Sequence, residues 1–165
     1  KDGLTGLLNH KTYIDRAGDE IERARRFQHQ LVFLIYDLDK FKRINDTLGH
    51  PYGDYVIKTT AKIIKDNVRS IDLVARYGGE EFAVVLVNTN KKAATTVAKR
   101  IVKNIAEHNF SMKSQKVKMT ISCGLSEYPK DSDKLTDLIQ YADEGLYKTK
   151  DNGGNDVTDY SSLTS

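Results

Sequence analysis

The chain has 165 residues, 39% of them hydrophobic, with a formal net charge of +3. That length suits one domain able to bury a core. The charge is too evenly balanced to argue for a nucleic-acid or anionic-membrane surface, and no apolar run approaches the length of a bilayer span.

In chain order, "KDGLTGLLNH" reads as a turn-rich opening that a longer parent chain, carrying an N-terminal sensor domain, is expected to feed. No secretory signal opens it, and the expected location is cytoplasmic. Tyr13 to Phe27 is polar and only weakly periodic, and is assigned as a helix. Leu31 to Leu38 ("LVFLIYDL") is a continuous apolar run of the kind buried on both faces of a sheet. Tyr52 to Val68 places Ile57, Ala61, Ile64 and Val68 at helical spacing. Leu73 to Tyr77 and Phe82 to Val87 flank Gly78-Gly79, which predicts a hairpin with a two-residue Gly-Gly turn. Ala93 to Ala106 carries the clearest helical stripe: Ala94, Val97, Ala98, Ile101, Val102 and Ile105. Val117 to Ser126 alternates as one strand, and Cys123 within it reads as a buried thiol that suits a reducing compartment. Leu135 to Tyr147 is helical and stops at Asn152-Gly153-Gly154. Residues 1–158 are expected to form the domain, and the polar Asp159 to Ser165 to fray.

The order α-β-α-β-β-α-β-α predicts an α/β (α+β) fold with a mixed central sheet flanked by helices. Its core matches the ferredoxin-like β-α-β-β-α-β pattern. That architecture serves many functions, so the site must decide.

Two segments carry unusual chemistry. The first strand runs into "DLDKFKRINDTLGHPYGD", where Asp37 and Asp39 are two apart and share a face on an extended backbone. A carboxylate at the mouth of a buried strand is costly unless a cation meets it. Asp39 also reads as the N-cap of a following short helix. The hairpin carries "RYGGEEF", with Glu80 and Glu81 adjacent at its tip. Alone, this is a solvated turn. If the hairpin lies beside the first strand, however, Asp37 and Glu80 supply hard oxygen ligands for Mg²⁺, and the glycines let a phosphate approach the backbone.

Together with "DGLTGLLNH" and "ADEGLYKTKDNGGN", these segments resemble the GGDEF family, the diguanylate cyclases, over almost the whole chain. The resemblance implies an enzyme that joins two GTP molecules into cyclic di-GMP and releases two pyrophosphates, across a transient homodimer of two domains. It implies a pair of divalent ions per half-site, Mg²⁺ with Mn²⁺ as an alternative, held by Asp37, the Leu38 carbonyl and Glu80. Glu80 would also serve as proton acceptor, with Glu81 assisting the metals. Phe41, Lys42 and Lys150 would meet the phosphates, with Gly78 and Gly79 allowing close approach. Asn45 and Asp54 would read the guanine edge, with His50 at a substrate contact. Taken residue by residue, Lys42 also reads as a solvated lysine and Asp54 as an N-cap. "RSID" resembles the family's product-inhibition site, with Arg69 and Asp72 as cyclic di-GMP contacts, although R-x-x-D is also an ordinary surface ion pair. No nucleic acid and no direct membrane contact are expected.

Two positions depart from the family pattern. Gly154 stands where an arginine usually helps hold the terminal phosphates, which predicts a raised GTP KM and tighter GTP binding in Gly154→Arg. His10 stands where the opening motif usually has arginine. The main alternative is a catalytically weak or inactive GGDEF domain that binds GTP or cyclic di-GMP as a regulatory module. A purely structural ferredoxin-like domain and a single-nucleotide cyclase are weaker readings.

Overall fold

Strand β1 (Leu31–Leu38) sits in the middle of the sheet, and its composition explains why: every residue except Asp37 is buried. In the computed structural model, which describes residues 1–164, β1 pairs antiparallel with β3 (Glu81–Val87) on one side and with β6 (Ile121–Tyr128) on the other. Strand β2 (Leu73–Arg76) adds to β3, and β7 (Val157–Asp159) lies parallel to β6, giving the order β2-β3-β1-β6-β7. The first four elements of that order are the ferredoxin-like arrangement, and the parallel β7 makes the sheet mixed.

Alternate side chains divide the core between the two faces. Val32, Leu34, Tyr36 and Leu38 pack under α2 (Phe41–Leu48), α3 (His50–Asp66) and α4 (Lys91–Glu107). Leu31, Phe33 and Ile35 pack under α1 (His10–Phe27) and α5 (Leu135–Asp151). Helix α1 begins earlier than its weak periodicity predicts, because the Asn9 side chain caps it by accepting from the Thr12 N–H at 2.9 Å.

Two expectations are corrected. The predicted strand over residues 117–126 is broken: β4 (Phe110–Met112) and β5 (Gln115–Val117) form a separate hairpin, and β6 begins only at Ile121. The tail does not fray where it is described. Asp159 closes β7, residues 160–163 make a 3₁₀ turn, and Tyr160 stacks on Tyr141 with centroids 4.0 Å apart. Ser165 lies outside the described residues. No described helix is long and apolar enough to cross a membrane.

Candidate active site

The mouth of the sheet is where β1 emerges beside the β2–β3 bend. The register sets Asp37 opposite Glu81 on β3 and opposite Ser122 on β6. Cross-strand partners share a face, so the Asp37 and Glu81 side chains leave the sheet together. Glu80 joins them through the backbone, its carbonyl accepting from the Leu38 N–H at 3.3 Å. Burial pushes the Asp37 carboxyl up to about 6 against the opposing Lys150 ammonium, and the Glu80 and Glu81 charges push it further the same way. Burial also raises Glu81, with Asp143 of α5 and then Glu80 adding to it and Lys150 opposing. Three acids therefore share one partly desolvated mouth, an arrangement that calls for positive charge.

Lys150, near the end of α5, supplies some of it. Its Nζ donates to the carbonyls of Asp37 (3.2 Å) and Leu38 (3.1 Å) and to Asp39 Oδ1 (2.8 Å), and lies 3.4 Å from Asp37 Oδ1. The ammonium thus stands among the oxygens that sequence reasoning assigned to a metal. The donor set fits a hard divalent cation: carboxylates and a main-chain carbonyl, already gathered around one positive charge. Among the described residues no group of three or more Asp, Glu, His or Cys side chains is placed to enclose a metal. A cation here would complete its shell with water or phosphate oxygens, the habit of Mg²⁺.

Asp39 is not an N-cap. Lys40 occupies that position of α2 with φ 56°, and no side chain caps the helix. Asp39 turns back instead to accept from Thr120 Oγ1 (2.7 Å), Ser122 Oγ (2.6 Å) and the Asn155 N–H (2.9 Å) as well as from Lys150. Burial works against its charge, but the bonds from Lys150, Ser122 and Thr120 outweigh it and hold the carboxyl below the ordinary range. This carboxylate ties β1, β6 and the closing loop together. It also revises the view of Gly154, which has φ +77° and whose added Cβ would lie 2.8 Å from Asp39 Oδ2. An arginine there would be strained in backbone and would push on a carboxylate that four donors pin in place.

Across the mouth, α2 and α3 meet at a close contact. A Cβ on Gly53 would fall 1.9 Å from Asn45 Oδ1, so only glycine lets Asn45 lie against α3. Asp54, the next residue, is exposed beside it and lies inside the helix, because α3 begins at His50 after Gly49. The N-cap reading of Asp54 is thereby ruled out. His50 and Lys42 are exposed. Phe41 is not: at 6% exposure its ring belongs to the core, so only its backbone faces the site.

At the hairpin, Arg76 pairs with Phe82 and the Tyr77 N–H donates to the Glu81 carbonyl at 2.8 Å. The bend is therefore Gly78-Gly79-Glu80, wider than the expected two-residue turn. A Cβ on Gly79 would meet nothing within 4 Å, so no protein contact demands glycine there. The space is free for a ligand. Arg76 Nε donates to the Gly79 carbonyl at 3.0 Å and Nη1 reaches Asp2 Oδ1 at 3.4 Å, tethering the bend to the opening segment.

Arg69 and Asp72 do come together, with Arg69 Nη2 3.1 Å from Asp72 Oδ1. The Asp72 side chain is only 1% exposed, however, and it also accepts from the Arg69 and Val87 backbone N–H groups. Arg69 Nη2 donates to the Val87 carbonyl and to Thr89 Oγ1. Asp72 is thus a structural acceptor in this conformation, and the half-exposed guanidinium is the part of the pair open to a ligand. Sequence reasoning missed Arg76, the hub role of Asp39 and the acid Asp143. Asp143 had a readable signal: it lies seven residues before Lys150, two turns along one face of α5.

A sequence model of the family described as "Diguanylate cyclase, GGDEF domain" matches residues 1–156. Diguanylate cyclase A of Treponema denticola is 43% identical over 94% of this chain, which spans 40% of that protein's length. The GGDEF domain of DgcB from Caulobacter crescentus, solved in complex with c-di-GMP, superposes with a TM-score of 0.91 at 31% identity, covering 97% of this chain and 92% of that one. The active GGEEF domain of a Vibrio cholerae diguanylate cyclase gives 0.86 at 32% identity, covering 93% and 97%. The chain belongs to the GGDEF family of diguanylate cyclases.

Proposed function

We propose that this chain condenses two GTP molecules into cyclic di-GMP and two pyrophosphates, each of two facing domains presenting one GTP. The observation that carries the reading is the convergence of Asp37, Glu80 and Glu81 at one mouth, with Lys150 on the Asp37 and Leu38 carbonyls. Asp37, the Leu38 carbonyl and Glu80 are the groups that would hold Mg²⁺ or Mn²⁺. When bound, the cation would neutralise phosphate charge and polarise the reacting phosphorus. Lys42 and Lys150 would bind the phosphates, the main chain at Phe41, Gly78 and Gly79 would admit them closely, and His50 would contact substrate. Asn45 and Asp54 accept from, or donate to, the guanine edge; Asp54 can accept the paired N1–H and N2–H₂ donors that adenine lacks. The raised pKa of Glu81 has the direction a proton acceptor for the 3′-hydroxyl needs, beside Glu80. Cyclic di-GMP would bind at Arg69 with the Asp72 segment and slow turnover. The domain would work in the cytoplasm as the output of a preceding sensor.

The test is to incubate the chain with GTP and Mg²⁺ and identify the nucleotide product by mass, alone and as an engineered dimer. Cyclic di-GMP is expected, and its loss in Glu80→Gln with retained folding. A dimer that binds GTP yet makes no cyclic dinucleotide would replace this reading with that of a regulatory GTP-binding module.

A further inference from the structure

We propose that the outer face of α4 and the β4–β5 hairpin together form an electrostatic docking surface for an anionic phospholipid bilayer. The proposal stands apart from the nucleotidyl-transfer reading, and either can fail without the other. It rests on how the chain segregates its charge. Residues 91–118 hold eight of the 26 Lys and Arg but only one of the 23 Asp and Glu, a net of +7 against −4 for the rest. The total of +3, which argued against a membrane surface, conceals this.

Lys91 is already paired, its Nζ lying 3.2 Å from Asp159 Oδ2. Lys92, Lys99, Lys103, Lys113, Lys116 and Lys118 are exposed, and among the described residues none forms an ion pair. Arg100 is exposed as well. It donates to the side-chain and main-chain oxygens of Asn67 at 3.0 and 2.9 Å, neutral partners that leave its charge intact. Other elements match their cations, as Arg23 with Glu20 and Arg25 with Glu22 on α1 or Lys62 with Asp66 on α3. Lys99 and Lys103 are four residues apart on a helix, where like charges repel, so the pattern opposes folding instead of supporting it.

The cations form one surface. Helix α4 turns Ala94, Ala98, Ile101 and Ile105 into the core, and Lys92, Lys99 and Lys103 run along its opposite side as a stripe of about 16 Å. Lys118 Nζ donates to the carbonyl of Glu107, the last residue of α4, at 3.0 Å and fastens the foot of the hairpin there. From α3, the Tyr52 hydroxyl reaches the Phe110 and Gln115 carbonyls and holds the hairpin beneath.

An anionic bilayer fits this surface better than a nucleic acid does. Six of the seven cations are lysines, compact charges on flexible stems that suit a diffuse layer of headgroups. Close recognition of nucleic-acid phosphates favours the planar guanidinium, and the one arginine is turned toward Asn67. The large exposed apolar side chains, Phe27, Ile71, Tyr147 and Leu163, all lie on other elements. The face therefore offers no platform for stacked bases and no wedge for insertion into acyl chains. Its attraction is one of charge alone.

The experiment is co-sedimentation of the chain with phosphatidylcholine vesicles containing about 30% phosphatidylglycerol, in about 0.1 M salt. Binding is expected there, and its loss in about 0.5 M salt or on pure phosphatidylcholine. Lys99→Ala, Lys103→Ala and Lys116→Ala combined should weaken it about a hundredfold with an unchanged thermal melt. Lys11→Ala, Lys134→Ala and Lys148→Ala combined remove as much charge from the α1–α5 side and should change it by no more than about twofold. The proposal is overturned if wild type stays in the supernatant, if the two triple variants lose binding equally, or if binding survives high salt. Duplex DNA that strips the chain from the vesicles at matched phosphate concentration would also overturn it and give the face to nucleic acid.

Discussion

Asp37 is held ionisable at the end of a buried strand, and that position has a measurable cost. Its pKa rises from 3.8 to about 6, chiefly through burial, so the folded chain holds a proton that the unfolded chain has already released. The sign follows: this group lowers stability progressively as pH rises from roughly 4 to 6, and by a constant amount above that. Asp37→Asn is therefore expected to stabilise the cation-free chain by about 1–2 kcal/mol near neutral pH and by almost nothing near pH 4. Urea melts at the two pH values decide it, and equal gains at both would refute the cost of the buried charge. The same substitution should abolish dinucleotide formation. Gly154 makes the opposite case. With φ +77° and a pinned carboxylate 2.8 Å from its absent Cβ, Gly154→Arg should destabilise the chain by about 2–4 kcal/mol and fail to lower the GTP KM. A stable variant with a lower KM would restore the view that this position merely lacks a cation.

At the scale of elements, the site depends on how closely α5 approaches β6. A Cβ on Gly124 would lie 2.0 Å from the Ala142 carbonyl oxygen and 2.1 Å from the Leu146 nitrogen, both backbone atoms that cannot yield. A Cβ on Gly145 would lie 3.1 Å from the Gly124 Cα. This paired absence of side chains lets α5 lie on the strand, and the same helix delivers Lys150 to Asp37 and Asp39. Gly124→Ala should cost about 3 kcal/mol or more, because the helix itself must shift. Thermal melts and GTP affinity should fall together in that variant; a normal melt would show that the contact can relax. The R-S-I-D turn is likewise an element with two roles. Buried Asp72 closes the turn onto β3, whereas Arg69 shows half of its side chain to solvent. On the proposed reading, in which cyclic di-GMP binds at Arg69, Arg69→Ala should relieve product inhibition while leaving the fold intact, and an inhibition curve that overlays wild type would exclude the site.

At the scale of the whole molecule, the acids Asp37, Glu80 and Glu81 and the cation Lys150 lie at one open mouth, apart from the Arg69–Asp72 turn. Residues proposed to meet guanine and phosphate lie there with the acids, and joining two nucleotides would need a second such mouth opposite. On the proposed reading, the initial rate should rise with about the square of chain concentration until dimers saturate. A rate strictly proportional to concentration over a wide dilution series would mean that one domain suffices.

How much of this was legible without coordinates varies with the range of the interaction. Local periodicity and turn residues were enough for β1, α4 and the closing stop, and the motif resemblance offered Asp37, Glu80, Asn45 and Asp54 as candidates. The division of residues 110–128 into a hairpin and a separate strand was not legible, because an alternating pattern does not say which partner a strand pairs with. Asp39 looked like a cap because the following helix is close in sequence. Its true partners, Thr120, Ser122, Lys150 and Asn155, are distant in sequence and become neighbours only when β6 and α5 close over β1. The chain's composition and motifs thus determined the fold class and the kind of chemistry. Which carboxylate faces the solvent, which anchors a loop and which tolerates no neighbour were decided by the tertiary structure, since burial and long-range hydrogen bonding set the energy of each charge.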